Sequence, residues 1–270
     1  MQPAPADRRR VTLSTGHEVT LPLELSLALG GVTLPARRNR LESLLPDGLS
    51  SLAIAPGVGC VTLVGIQYHR VGGRNDGVAA DGDDEKRVGA TGGLEPYDEF
   101  AVIVPAVRGG RTTRPFAQVV GGELGGYVHW LPVTTEPSVA LGREIWGYPK
   151  ERAEITVTDG PRALRTVVRE TDGTPRVRLE VSRPRWEPRV GTRARDWTLR
   201  SYTTKDGDLL RTRAEIEGEI AVGSPRGATV ELDSRLWSQL GCWTRPIARL
   251  YGARVRARLA AGTPLSDGDE

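Results

Sequence analysis

At 270 residues, with 38% hydrophobic and 26% charged side chains, the chain is long enough to bury a sizeable core, which excludes fibrous, collagen-like and wholly disordered classes. Its 37 basic and 34 acidic residues leave a net charge of only +3, and the acids are spread among the arginines, so the concentrated basic face that nucleic-acid binding requires is not expected. No stretch approaches the roughly 20 apolar residues of a membrane span, and no apolar run follows the charged start MQPAPADRRR, so the reading is a cytosolic protein without membrane contact.

Along the chain, residues 1–10 read as a disordered tail and 11–262 as a single domain. Alternating stretches run from Val11 to Leu25, a short helix is expected from Arg38 to Leu45, and strands from Cys60 to Arg70 and Phe100 to Val107. Between them, residues 72–93 are almost free of apolar side chains and read as a mobile loop. Ala117 to Trp130 and Ser138 to Tyr148 read as further strands. From Ala153 to Ser182 three β-prone runs are separated by Asp159-Gly160 and Asp172-Gly173, the turn dipeptides of a meander. Strands are expected again at Trp197–Thr203, Arg213–Val222 and Ala228–Leu232, then a helix over Ser234–Leu240 with Asp233 as its N-cap. Residues 263–270 read as a second tail. Many short strands punctuated by 33 glycines and 19 prolines predict a mainly antiparallel α+β protein, not a doubly wound parallel sheet.

Little here could hold a metal or a cofactor. His17, His69 and His129 are scattered with no ligand spacing, and Cys60 and Cys242 form no CxxC pair, so both thiols are expected to be buried and unpaired. Gly121-Gly122 and Gly125-Gly126 fit neither a dinucleotide fingerprint nor a Walker loop, so no phosphate-bearing cofactor is implied. Trp237, Trp243 and Tyr251 read as core packing. Nearly every basic residue is arginine; lysine occurs only at Lys86, Lys150 and Lys205. Lys86 lies in the polar loop and Lys205 beside an Asp-Gly turn, both expected to be exposed. Lys150 follows Tyr148-Pro149 at the end of an apolar segment, and the proline there turns the chain and removes a donor.

That last segment carries a resemblance. Glu136, Pro137, Ala140, Gly142, Arg143, Glu144, Tyr148, Pro149 and Lys150 spell E-P-x-x-A-x-G-R-E-x-x-x-Y-P-K, upstream of which stand Tyr97, Glu99 and Pro105 as Y-x-E followed by proline, and RLESLLPDGL from Arg40 to Leu49. In this order the motifs resemble the acetoacetate decarboxylase family. The resemblance implies a cone-like β-barrel with a few short helices, a homo-oligomer, and a cofactor-free lyase whose lysine forms an imine with a small keto acid. It implies Lys150 as nucleophile, Glu99 in acid–base or positioning work, and Tyr148, Trp146 and Tyr97 as walls of the substrate site. Either β-keto acid decarboxylation or aldol condensation with dehydration in secondary metabolism fits such an imine; a catalytically inactive binding module of the same fold is the alternative.

The chemistry sets a condition. Only an unprotonated amine attacks a carbonyl, while a free lysine has a pKa near about 10.4, so its surroundings are expected to shift it downward through burial or a neighbouring cation. Arginine could not serve, since its guanidinium neither deprotonates nor forms an imine. Three positions depart from the family pattern: Glu151 stands where a second lysine is implied, Leu27 where an arginine for the substrate carboxylate is implied, and the run Cys60–Tyr68 carries no acid. Alternation along a strand turns adjacent residues to opposite faces, so Glu151 is expected to point away from Lys150.

Overall fold

A computed structural model describes residues 8–73, 92–110, 112, 114–115, 117–170, 172–183 and 197–265. Of the expected loop 72–93, residues 74–91 with Lys86 lie outside them, as do tail residues 1–7 and 266–270, while Gly72 and Gly93 at the loop's ends belong to strands. Two boundaries move: Arg9 and Arg10 belong to a strand, as do Thr263 and Pro264, so the folded region extends beyond 11–262 at both ends.

The alternating stretch from Val11 resolves into β1 (Arg9–Thr12) and β2 (Glu18–Leu21), an antiparallel hairpin, followed by β3 (Leu23–Arg37). β3 is buried along nearly its whole length because both its faces are covered. The helix expected to reach Leu45 stops earlier, as α1 (Arg38–Glu42), with Pro46 ahead of it. β4 (Leu49–Ser51), β5 (Val58–Gly72), β6 (Gly93–Leu94) and β7 (Asp98–Arg108) follow. Ala117–Val119 forms a single 3₁₀ turn, so the strand expected from Ala117 begins only with β8 (Glu123–Val133).

The segment read as a strand from Ser138 to Tyr148 is instead a helix, α2 (Glu136–Trp146). Its ends explain the misreading: Thr135 caps the first turn by accepting from the Ser138 N–H, Pro137 sits where no donor is needed, and Gly147 ends the helix at φ 64°. Val139, Ala140, Leu141 and Trp146 are buried, so short apolar stretches on either side of Arg143-Glu144 read as strand although the period is helical. Thr135→Ala should lower the unfolding free energy by about 1 kcal/mol, read from chemical denaturation, because it leaves the first-turn donors unpaired.

After α2 come β9 (Lys150–Arg152) and the expected meander, β10 (Glu154–Asp159), β11 (Ala163–Arg169) and β12 (Pro175–Ser182), paired antiparallel in sequence order. Gly173 takes the positive φ its turn demands (82°). β13 (Trp197–Lys205), β14 (Asp208–Glu217), β15 (Ala221–Gly223) and β16 (Ala228–Leu232) lead to α3 (Ser234–Leu240), where Asp233 caps as expected by accepting from the Leu236 N–H at 2.6 Å. Gly218 (φ 122°) splits the run expected from Arg213 to Val222 into β14 and β15. β17 (Ala248–Leu259) and β18 (Thr263–Pro264) complete the chain.

The large sheet passes through β17, β3, β5, β7, β8, β13 and β14, and β14 pairs back onto β17, so the path closes into a ring. Almost all neighbours are antiparallel; β8 runs parallel to β13 and to β9. Leu25, Leu27, Val64, Ala101, Leu131 and Val255 from around the ring meet the apolar residues of α2 in one core cluster. The opposite face of β3, β5 and β7 packs on the four-stranded sheet β10-β11-β12-β16 through Leu34, Leu63, Phe100, Leu164 and Leu179. Each such side chain contributes about 1.5–3 kcal/mol on burial, so this layer far outweighs exposed ion pairs such as Arg165–Glu180, whose charges water screens. Of the three aromatics read as core, Tyr251 is buried, with its hydroxyl on Asp159, but Trp243 is 47% exposed. Cys60 and Cys242 are free and buried, and burial pushes their thiols up to about 11 and about 12. No helix among the described residues is long and apolar enough to cross a membrane, and no cluster of three His, Cys, Asp or Glu there could hold a metal.

Candidate active site

Two residues apart on a strand means one face, and Tyr97-Asp98-Glu99 uses that spacing. Tyr97, just before β7, and Glu99 within it both reach Lys150, while Asp98 between them turns to the small sheet and accepts the Val157 N–H at 2.8 Å. Lys150 opens β9 beside Leu131 of β8. Its Nζ lies 2.7 Å from Glu99 Oε2 and donates to the Tyr97 hydroxyl at 3.1 Å. Lys150, Glu99 and Tyr97 are 4%, 3% and 5% exposed, so the pair is withdrawn from water.

α2 fixes the lysine in two ways. Gly142 lies against the lysine stem: a Cβ there would sit 2.7 Å from Lys150 Cε, closer than non-bonded carbons approach. Next to it, Arg143 Nε donates to the Lys150 backbone carbonyl at 2.6 Å, tying β9 to the helix. Glu144 accepts from the Ser14 N–H and hydroxyl, and its backbone carbonyl takes Lys205 Nζ at 2.5 Å, so this motif residue fastens the hairpin loop and β13 to α2.

Glu151 points the other way, as alternation requires. It is exposed and accepts the Trp130 indole N–H at 2.5 Å, in a surface groove it shares with Arg152, Arg169 and Arg176. Its charge therefore stands on the far side of β9 from the amine. Leu27 is the register partner of Tyr68 across β3 and β5 and is buried, so a position expected to carry a cation presents a hydrocarbon surface.

Of the expected walls, Tyr97 touches the amine directly. Tyr148 is buried with its hydroxyl bonded to Ser201 at 2.8 Å, and its ring lies 5.7 Å from that of Trp146. Trp146 gives its indole N–H to the Ala260 carbonyl at 2.7 Å, leaving only apolar surface for packing. Two members of the constellation carried no sequence signal: Tyr68, whose hydroxyl donates to Glu99 Oε1 at 3.2 Å, and Ser201. Nothing in the pattern of β5 or β13 marks them, because their role depends on register between strands distant in sequence.

Electrostatics overturn the expected direction for the lysine. Burial does work against the ammonium, but the Glu99 carboxylate, and after it Tyr97, more than offset this, so the amine is held above its ordinary range. Burial pushes the Tyr97 hydroxyl up to about 12 against the pull of the ammonium, and raises that of Tyr148 despite its bond to Ser201. At neutral pH the lysine therefore rests as an ammonium beside neutral tyrosines. The lysine and Glu99 form an ion pair at 2.7 Å in which Oε2 lacks hydrogen-bond geometry toward the amine.

Several solved structures share this fold. The enduracididine biosynthesis enzyme MppR complexed with pyruvate superposes with a TM-score of 0.60 at 15% identity, over 91% of this chain and 90% of that one. An acetoacetate decarboxylase gives 0.57 at 14% over 92% and 91%, and an acetoacetate decarboxylase-like enzyme from Sphingomonas wittichii RW1 gives 0.58 at 19% over 90% and 92%. No curated protein matches the sequence. The family model for acetoacetate decarboxylase matches residues 31–216, a span that contains Tyr68, Tyr97, Glu99 and Lys150, and the chain belongs to the acetoacetate decarboxylase family.

Proposed function

We propose that the protein is a cofactor-free lyase that acts on a small keto acid through an imine of Lys150. The observation that carries this reading is the buried Lys150–Glu99 pair at 2.7 Å inside an apolar shell, with Tyr97 on the amine. A lone buried ammonium would be costly, so a lysine kept there calls for a use as well as a partner.

In this scheme Glu99 takes the proton from Nζ, and the freed amine attacks the keto carbon to give a carbinolamine. The acid form of Glu99 returns that proton to the carbinolamine oxygen, which departs as water and leaves a protonated imine. The imine accepts the electron pair released when the substrate loses carbon dioxide or a proton from the adjacent carbon. Protonation of the enamine, or its attack on an aldehyde, precedes hydrolysis back to the free amine. Tyr97 donates to the carbonyl oxygen, and Tyr148 and Trp146 supply apolar wall. Leu27 offers no cation to a substrate carboxylate, which favours condensation and dehydration over decarboxylation, and pyruvate, the ligand named for MppR, is the first substrate to try.

Incubation with pyruvate and borohydride should add a single reduced pyruvate unit by intact mass, and Lys150→Ala should add none. Absence of an adduct on the wild-type protein with both pyruvate and acetoacetate would overturn the reading. The resting ammonium favours one other reading, a binding module of the same fold; ligand binding that survives Lys150→Ala, without any adduct, would mark it.

A further inference from the structure

We propose that Tyr68 is a positioning residue for the Lys150–Glu99 pair: its hydroxyl holds Glu99 Oε1 so that Oε2 faces the amine and stays the base that frees it. The inference rests on the imine reading above. It starts from the two oxygens of one carboxylate. Oε2 is 2.7 Å from Lys150 Nζ, and Oε1 accepts from Tyr68 at 3.2 Å. With Oε1 held, the carboxylate plane is set; without it, the group turns about its last bond and Oε2 is no longer kept beside the amine, a displacement to which proton transfer is sensitive.

Tyr68 is itself well fixed. Its backbone N–H donates to the Tyr97 carbonyl at 3.0 Å, its ring lies 4.6 Å from the Tyr97 ring at a tilt of 38°, and Leu27 stands opposite it on β3. The two tyrosines thus form one packed unit with a divided task. Tyr97 reaches the amine and Tyr68 reaches the carboxylate. Burial first, and then the Glu99 charge, raise the Tyr68 hydroxyl well above its ordinary value, so it keeps its proton and remains a donor across the working range of pH.

The titratable groups gathered around Glu99 are Lys150 from β9, Tyr97 ahead of β7, Tyr148 from the turn after α2, and Tyr68 from β5. Among them Tyr68 is the one that donates to the carboxylate without touching the amine. A donated hydrogen bond favours the anion over the acid. Removing it makes the pair accept its second proton at higher pH, and a doubly protonated pair has no base left to release the amine. The two groups titrate together, so the effect belongs to the pair.

The test follows the rate of pyruvate adduct formation with cyanoborohydride as a function of pH. Tyr68→Phe should move the acidic limb of that profile upward by about one pH unit and slow trapping on that limb about tenfold, with little change on the plateau. Fluorotyrosine at position 68 keeps the ring and strengthens the donor, so it should move the limb the opposite way even if Tyr68→Phe folds poorly. A purely structural Tyr68 would scale the whole profile without shifting it, and that result in both variants would overturn the inference while leaving the imine intact. A wild-type protein that forms no adduct would instead remove the imine reading on which the inference stands.

Discussion

Glu99→Leu should lower the unfolding free energy by about 3–5 kcal/mol at neutral pH, the range expected when one partner of a buried ion pair is removed and the other is left without compensation. The penalty should depend on pH in a way that identifies its source. In the wild type the lysine is held above its ordinary range, so the stability from the pair is fully present below the unfolded value and is lost only as pH rises through the folded one. In Glu99→Leu the carboxylate is gone, and burial, the largest single influence, is opposed only by the uncharged Tyr97 hydroxyl and lowers the lysine instead. The unfolded chain then binds a proton that the folded chain refuses, so the variant gains stability as pH rises toward the unfolded value. The difference between the two proteins should therefore narrow from neutral to mildly alkaline pH. Chemical denaturation at a series of pH values measures this, and Glu99→Leu combined with Lys150→Met should recover most of the loss, since it replaces an orphaned charge by packed hydrocarbon. A pH-independent penalty that Lys150→Met fails to relieve would contradict a buried charge pair.

Gly142→Val should slow imine formation on the order of a hundredfold or more while costing about 1–3 kcal/mol of stability. The asymmetry follows from what the new methyl groups would strike: the Cγ, Cδ and Cε atoms of Lys150, whose Nζ is committed to Glu99 and Tyr97. The stem can bend aside at modest energetic cost, but only by carrying the amine off its partners. Gly142→Ala should fall between the two. Trapping rates with pyruvate, measured beside thermal unfolding, separate the effects; a Gly142→Val protein of near wild-type trapping rate would mean that the helix does not set the position of the amine.

What could be read in the sequence was decided by distance along the chain. Asp233 announced α3, and the two Asp-Gly dipeptides announced the meander, because capping and turn chemistry act within a few residues. α2 reads as a strand because its N-cap, Thr135, stands ahead of the run from Ser138 to Tyr148 and burial of much of its surface hides the helical period. β17 is not among the expected strands although Arg254, Arg256 and Arg258 alternate with Val255, Ala257 and Leu259; its apolar positions acquire partners only through β3 and β14. The site divided the same way. Lys150, Tyr97 and Glu99 are visible because they stand in the motifs that carry the family resemblance. Tyr68 and Ser201 enter only through the registers of β3 with β5 and β8 with β13, which no local pattern encodes. The charge state of the lysine was legible only as a requirement, and its sign changed once the distance to Glu99 was known.

Ring closure by β17 has a bearing on how the protein comes into being. β17 pairs with β3, more than 200 residues earlier in the chain, and with β14, and it is synthesised after every other strand of the ring. Until it docks, β3 presents an unpaired edge and the apolar residues that surround Lys150 lack one of their walls, a topology whose long loop must be closed before its contacts reward it. The segments bearing Tyr68, Glu99 and Lys150 therefore leave the ribosome well before the enclosure that would give them their chemistry exists, and the low-dielectric surroundings of the amine are among the last properties the nascent chain acquires.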